Sequence, residues 1–236
     1  MSDWKLSMFI YFDSIIEFAE AFIAFLVAYY ALKFYRITRD NSLLPLHLSF
    51  TSLGAGLSTH RITIIFAYAL LILRRTNFKL LTRILLTSGL ILFLSEAIGY
   101  GILVFSYLKL VKRKPIEATA PIILLPTIKP PPYWFLTYFR YHPTLEIIII
   151  CLLLYITYQT IINYVEKRSS GPLLVSLGFL FLTIGHIIFL FSSIFLTLYL
   201  IAHIIHLIGF LYIFTMLLKV TKKWLEKANT DLKSEL

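Results

Sequence analysis

The stretch KPIEATAPIILLPTIKPPPYWFLTYFRYHP, residues 114–143, decides how this chain folds. It lies near the middle of a 236-residue sequence, and prolines interrupt each of its short apolar pieces. A proline inside a helix removes a hydrogen bond and clashes with the preceding turn, at a cost of about 3 kcal/mol. Unpaired backbone groups are costlier still in lipid. We therefore interpret 114–143 as an interfacial linker that does not cross a membrane.

On both sides of this linker the sequence is too apolar for a soluble domain. Hydrophobic residues make up 59% of the chain and charged residues only 14%, and the mean hydropathy is +0.83. A helix needs about 20 apolar residues to cross a bilayer. Six segments reach that length, at about 14–35, 43–73, 82–111, 144–165, 171–194 and 196–219. The sequence thus predicts an all-α integral membrane protein, a multi-pass protein of the cell membrane.

The linker divides the predicted helices into two units of three. The expected organisation is an interfacial N-terminal segment, a first three-helix membrane unit, the linker, a second three-helix membrane unit and a polar tail, at residues 1–13, 14–113, 114–143, 144–221 and 222–236.

The two units resemble each other in the order of their polar residues, which indicates an internal repeat. The matched pairs are Glu17/Glu146, Tyr29/Tyr158, Tyr35/Tyr164 and Arg39/Arg168 at one offset, His60/His186 after a short shift, and Glu96/His206, Gly99/Gly209 and Lys109/Lys219 once the long loop of the first half is removed. Three spans per unit and a non-spanning linker make an inverted repeat with both termini on one side. If the linker crosses instead, the protein has seven spans and parallel 3+1+3 repeats.

The basic residues bear on the partners and on this choice of topology. The net charge is +10, but Lys and Arg concentrate where the apolar blocks end. This distribution indicates a lipid bilayer with anionic headgroups rather than nucleic acid. Counting Lys and Arg on each side gives a cleaner bias for seven spans than for six. We give the proline penalty more weight and expect six.

Ionisable groups at membrane depth are functional hypotheses by default, because they are expensive to bury in lipid. The candidate cofactor-binding residues are His60, His186, His203 and His206, and the candidate polar or proton-linked residues are Arg61, Glu96 and Tyr100. We expect Arg61 to be neutralised by a carboxylate, with Glu96 nearest in depth, or by a bound anion, or to reach water along a polar cleft. We also expect His60 and His186 to point into the bundle as equivalent residues of the two units.

Histidines on facing helices could bind haem b from both sides of the iron, or line a quinone or proton site. Interhelical hydrogen bonding would use the same residues. No metal site is predicted, because zinc needs about four ligands and the sixth span offers no acidic residue beside its histidines. Cys151 is the single cysteine, so no internal disulfide or Cys-x-x-Cys motif can form.

Three classes of function fit these observations. The first is a membrane subunit of a respiratory or electron-transfer complex, associated with other membrane subunits and carrying a quinone-linked or haem b site. The second is a transporter of ions or small solutes built on the repeat. The third is a non-catalytic membrane scaffold or sensor. No catalytic motif identifies an enzyme.

Overall fold

The computed structural model is all-helical, and it describes residues 3–73, 78–110, 143–192 and 196–234. Within these ranges the helices are α1 Asp3–Thr38, α2 Leu43–Ile72, α3 Phe78–Leu110, α4 Pro143–Lys167, α5 Ser170–Phe191 and α6 Leu196–Ser234. All six contain a stretch long and apolar enough to cross a membrane. The prediction of a multi-pass helical membrane protein is confirmed to that extent. The predicted linker lies outside the described residues, except for Pro143.

The described helices pack in a closed ring, each against its two neighbours in chain order, with α6 returning to α1. Small residues allow the close contacts. On α1, Ala21, Ala24 and Ala28 are buried on one face. Between α5 and α6, a Cβ atom at Gly209 would lie 2.8 Å from the carbonyl oxygen of Gly178, so the two backbones touch. Such small-residue contacts are the usual means by which helices associate in lipid.

A cavity at one end of the ring reveals the direction of each helix. Its walls include Thr38 and Lys167, at the C-terminal ends of α1 and α4, and Tyr107 and Val220, late in α3 and α6. Leu43, at the start of α2, lies there too, as does the start of α5. Hence α1, α3, α4 and α6 run towards this cavity end, and α2 and α5 run away from it.

These directions overturn the inverted repeat predicted from the sequence, in which α4 would run opposite to α1. Because α3 and α4 run in the same direction, Leu110 and Pro143 lie at opposite ends of the ring. The start of α1 and the end of α6 also lie at opposite ends, so the expectation that both termini share one side is wrong.

A layer of four buried aromatic side chains lies between the cavity end of the ring of helices and the polar residues farther along. Phe50 of α2, Tyr100 of α3, Phe179 of α5 and Phe210 of α6 are at most 1% exposed. The rings of Phe50 and Phe210 meet edge-to-face, with centroids 5.8 Å apart. On each of these four helices the aromatic residue separates the residues at the cavity end from polar residues farther along. The outer faces carry apolar side chains such as Phe22, which suit contact with lipid.

Candidate functional site

Three acidic residues of α1 begin the polar cluster beyond the aromatic layer. Asp13, Glu17 and Glu20 are four and then three positions apart, a spacing that places them on one helical face. All three are almost completely buried. Asp13 lies in the first turn of the apolar span Tyr11–Thr38 of α1 and is the last residue of the predicted interfacial segment.

Arg61 of α2 is the fixed positive charge of the cluster. Its Nη2 lies 2.5 Å from Oδ2 of Asp13 and also donates to Glu17, and its side chain is 1% exposed. The predicted neutralisation by a carboxylate is confirmed, but the partner Glu96 was wrong. Depth along a helix indicates which residues lie level with one another, and it does not reveal that the acidic face of α1 packs against this side of α2.

Two histidines of α6 share the acidic face of α1. Glu20 Oε1 lies 3.3 Å from Nδ1 of both His203 and His206. On its other side, His203 places Nε2 3.4 Å from Oδ1 of Asp13. The Tyr199 hydroxyl donates to Oδ2 of Asp13 at 3.3 Å. Carboxylates and imidazoles therefore alternate along the contact between α1 and α6.

The second unit completes the cluster with a histidine–carboxylate pair. His186 of α5 places Nδ1 2.6 Å from Oε1 of Glu146 on α4. The His186 ring also meets the His206 ring edge-to-face, with centroids 4.9 Å apart, and the Tyr100 ring at 6.0 Å. His186 thus joins its own pair to the histidines of α6.

These contacts form one buried set of titratable groups that extends from α1 to α4. The order of the set is Asp13, His203, Glu20, His206, His186 and Glu146, with Glu17 and Arg61 beside its first member. Four carboxylates face one guanidinium and three imidazoles. Arg61 balances one carboxylate permanently. The other three carboxylates and the three imidazoles would form a neutral set if together they bound three protons.

His60 and Glu96 take other positions. His60 is completely buried, as predicted, but its Nδ1 lies 2.9 Å from the Ser88 hydroxyl on α3. This hydrogen bond links α2 to α3. Glu96 is buried on α3, one turn before Tyr100. Of the predicted residues, the structure brings together His186, His203, His206, Arg61 and Tyr100.

The site residues predicted from the sequence do not include Asp13, Glu17, Glu20 or Glu146. The spacing of Asp13, Glu17 and Glu20 was the available signal for the first three, since an acidic stripe on an apolar helix has to face the interior. For Glu146 the signal was its match with Glu17 in the repeat. Among the described residues, no group of three or more His, Cys, Asp or Glu side chains has the arrangement of a metal site.

Comparison with known proteins finds no match to this chain among family models, curated proteins or solved structures.

Proposed function

We propose that this protein is a proton-coupled transporter of a small solute, built from two parallel three-helix units. The observation that carries the proposal is the buried carboxylate–histidine cluster, which joins α1 and α2 of the first unit to α4, α5 and α6 of the second. Charged groups at membrane depth cost at least about 2.5 kcal/mol each and are retained chiefly for proton, ion or substrate pathways. The cluster lies where the two units meet, which is where transporters built from repeats have their coupling-ion sites.

Equivalent positions in the two units support the duplication. At the offset that matches Glu17 with Glu146, buried residues of α2 correspond to buried residues of α5. The pairs are Ser49/Gly178, Phe50/Phe179, Leu53/Leu182, Gly54/Thr183, Gly56/Gly185, Leu57/His186 and His60/Phe189. The equivalent of His186 is therefore Leu57, and the short shift that aligned it with His60 is not needed.

The close contacts and the helix ends repeat in the same way. A Cβ atom at Gly99 would meet Ser49 O and Leu53, and one at Gly209 would meet Gly178 O and Leu182, the equivalent atoms. Arg39 and Arg168 both end their helices with positive φ angles, 56° and 45°. Units related in this way, with α1 and α4 running in the same direction, are parallel repeats about an axis along the membrane normal.

We propose seven membrane passes for this arrangement, because Leu110 lies at the cavity end and Pro143 at the opposite end. Charge supports it. Within the described residues, the basic residues at the cavity end include Lys33, Arg36, Arg39, Lys109, Lys167, Arg168, Lys219 and Lys222, against Lys5, Lys79 and Arg83 at the other end. By the positive-inside rule the cavity end faces the cytoplasm.

Reporter fusions at the two termini test this topology. We expect the C-terminal reporter to be active in the cytoplasm and the N-terminal reporter outside it. Both reporters on the same side would contradict the parallel arrangement and restore an even number of passes.

The order of features along the ring suits alternating access to a central path. The cavity opens one end, the aromatic layer closes the middle, and the ion-paired cluster closes the other end. Adding one proton to the neutral cluster leaves a buried positive charge, which is costly in a low dielectric. A solute of opposite charge, or a rearrangement that opens the cluster to water, would remove that cost. Either one couples proton movement to transport.

A flux measurement tests the coupling. The purified protein in liposomes that contain a pH-sensitive dye is challenged with gradients of amino acids, sugars and organic acids, and liposomes without protein measure passive permeation. We expect at least one solute to drive proton movement. Glu146→Gln should abolish the movement, and Glu166→Gln, on the exposed face of the same helix, should preserve it. Equal proton movement in wild type and Glu146→Gln, or none with any solute, would refute the proposal.

Electron transfer through a quinone or haem b, within a larger respiratory complex, stays a prediction from the sequence. A porphyrin between His186 and His206 would have to separate rings that now touch edge-to-face. The absorption spectrum of the dithionite-reduced protein is its test. A b-type haem band would support the electron-transfer function. A featureless spectrum would exclude the form of this function that uses haem.

A further inference from the structure

We propose that the cavity at the cytoplasmic end binds the oxyanion group, carboxylate or phosphate, of a small solute. This inference rests on the proposed function and names its substrate class. The cavity has a volume of about 490 Å³ and is lined by residues of both units, a size typical of small-molecule sites. Equivalent residues of the two units line the cavity: Thr38 and Leu43 of the first unit correspond to Lys167 and Pro172 of the second. It therefore lies close to the axis that relates the two units.

The polar lining offers hydrogen-bond donors that the protein does not use. Within the described residues, the Tyr107 hydroxyl, the Asn163 amide and the Lys167 ammonium have no hydrogen-bond or ion-pair partner, and all three line the cavity. Tyr107 and Asn163 are only partly exposed. The threonine hydroxyls of the lining differ, since Thr38 and Thr160 already donate to the carbonyl oxygens of Phe34 and Thr157, in both cases at 2.9 Å.

Asp40, the one carboxylate among the described residues of the lining, is engaged within its own turn. Asp40 Oδ1 accepts the backbone N–H of Ser42 at 2.9 Å, and this contact lowers the pKa of the Asp40 carboxyl below its ordinary value. The unused groups are therefore a hydroxyl, an amide and an ammonium, which together suit an acceptor with negative charge. Hydrogen bonds of this charge-assisted type are the strong ones.

An oxyanion also suits the charge balance of the cluster. A proton taken up by the cluster adds one positive charge, and a monoanionic solute in the cavity adds one negative charge. The loaded protein then carries no additional net charge within the membrane, so that proton and anion can cross together. A neutral sugar or a cation would not provide this balance.

The test is a binding measurement on the full chain in detergent without any pH gradient. Thermal unfolding is followed in rising concentrations of lactate, benzoate or inorganic phosphate, and separately in nanodiscs with and without phosphatidylglycerol. A ligand of the native state raises the midpoint temperature by mass action. We expect one of the three free anions to do so saturably. Lys167→Gln and Asn163→Leu should weaken the apparent affinity at least about tenfold, and Lys219→Gln, at the same membrane face but outside the cavity, should not.

Each outcome supports or overturns the assignment. Equal weakening by Lys167→Gln and Lys219→Gln would reveal general charge screening and refute the site. Stabilisation by phosphatidylglycerol alone would assign the cavity to a lipid headgroup and also refute it. Saturable binding that depends on Lys167 would stand even if solute-driven proton flux were absent, in which case the proposed coupling fails and the site remains. Flux without such binding would refute the site alone.

Discussion

The two units neutralise equivalent carboxylates in different ways. In the first unit, Glu17 pairs with Arg61, whose charge is permanent. In the second unit the equivalent carboxylate, Glu146, pairs with His186 at 2.6 Å. An imidazole ordinarily gains or loses its proton between about pH 5 and 8. The Glu17–Arg61 pair therefore has a permanent positive charge, whereas both partners of the Glu146–His186 pair can be neutral.

This difference suggests a division of roles within the duplicated fold. The first unit holds its acidic face in place through a charge that no physiological pH removes. The second unit has a pair that can give up or receive a proton without leaving an isolated charge. The proposed transporter needs both properties, a rigid closure and a group that responds to protons, and the proposed duplication would provide them on equivalent helices.

The strongest test of the fixed pair is Arg61→Leu. It leaves Asp13 and Glu17 buried without their cation, and breaking a buried pair in this way costs about 3–5 kcal/mol. We expect the chain to insert into the membrane but its thermal unfolding midpoint in detergent to fall steeply. Arg83→Leu, which removes an exposed arginine of α3, is the matched control and should change stability little. Equal midpoints for the two variants would show that the Arg61 contacts do not stabilise the fold.

The counterpart in the second unit is His186→Gln, which we expect to cost less, about 1–3 kcal/mol. Glu146 can then accept a proton and remain buried as a neutral acid. Arg61→Leu instead leaves two carboxylates, Asp13 and Glu17, that both need to be neutralised. The same unfolding measurement compares the two variants. A larger loss for His186→Gln than for Arg61→Leu would reverse the assignment of the fixed and the titratable pair.

Glycines at equivalent contacts sharpen the comparison at a smaller scale. A Cβ at Gly209 would lie 2.8 Å from Gly178 O, and one at Gly99 would lie 3.0 Å from Ser49 O. We expect Gly209→Ala to cost about 1–3 kcal/mol and Gly99→Ala to cost less, because its neighbours have to move less. Gly101→Ala meets no atom within 4 Å and is the control. If Gly101→Ala had the lowest unfolding midpoint of the three variants, this result would contradict the packing described here.

The smallest effect concerns the turn between α1 and α2. Asp40 has a lowered pKa because it accepts hydrogen bonds from Ser42, whereas the equivalent residue of the second unit is Ser169. A carboxyl with a lowered folded-state pKa stabilises the fold above its ordinary value, near 3.8, and loses that contribution as the pH falls through the lowered value. Asp40→Asn should therefore reduce stability slightly at pH 7 and not at pH 2. An equal reduction at both pH values would exclude this cause.

Helix positions followed from the sequence because the length of an apolar segment is set by the bilayer. The buried histidines and Arg61 were found for the same reason, since charge at that depth is rare. Partners were less predictable. Glu96 and Asp13 are both acidic residues of membrane helices, and only packing decides which of them faces Arg61. The direction of α4 depended on whether residues 111–142 connect opposite ends, where proline content and charge distribution gave conflicting answers.

The measurement closest to the central claim is a pH titration of the histidine ring nitrogens in the isotope-labelled, detergent-solubilised protein. Substitutions of single histidines assign the signals, and His60, which bonds Ser88 outside the cluster, is the internal reference. We expect His186, His203 and His206 to change protonation as a coupled set over the pH range in which the protein stays folded, and Glu146→Gln to alter the titration of all three. Three rings that keep one protonation state across this range, or that titrate independently of Glu146, would contradict a proton-exchanging cluster.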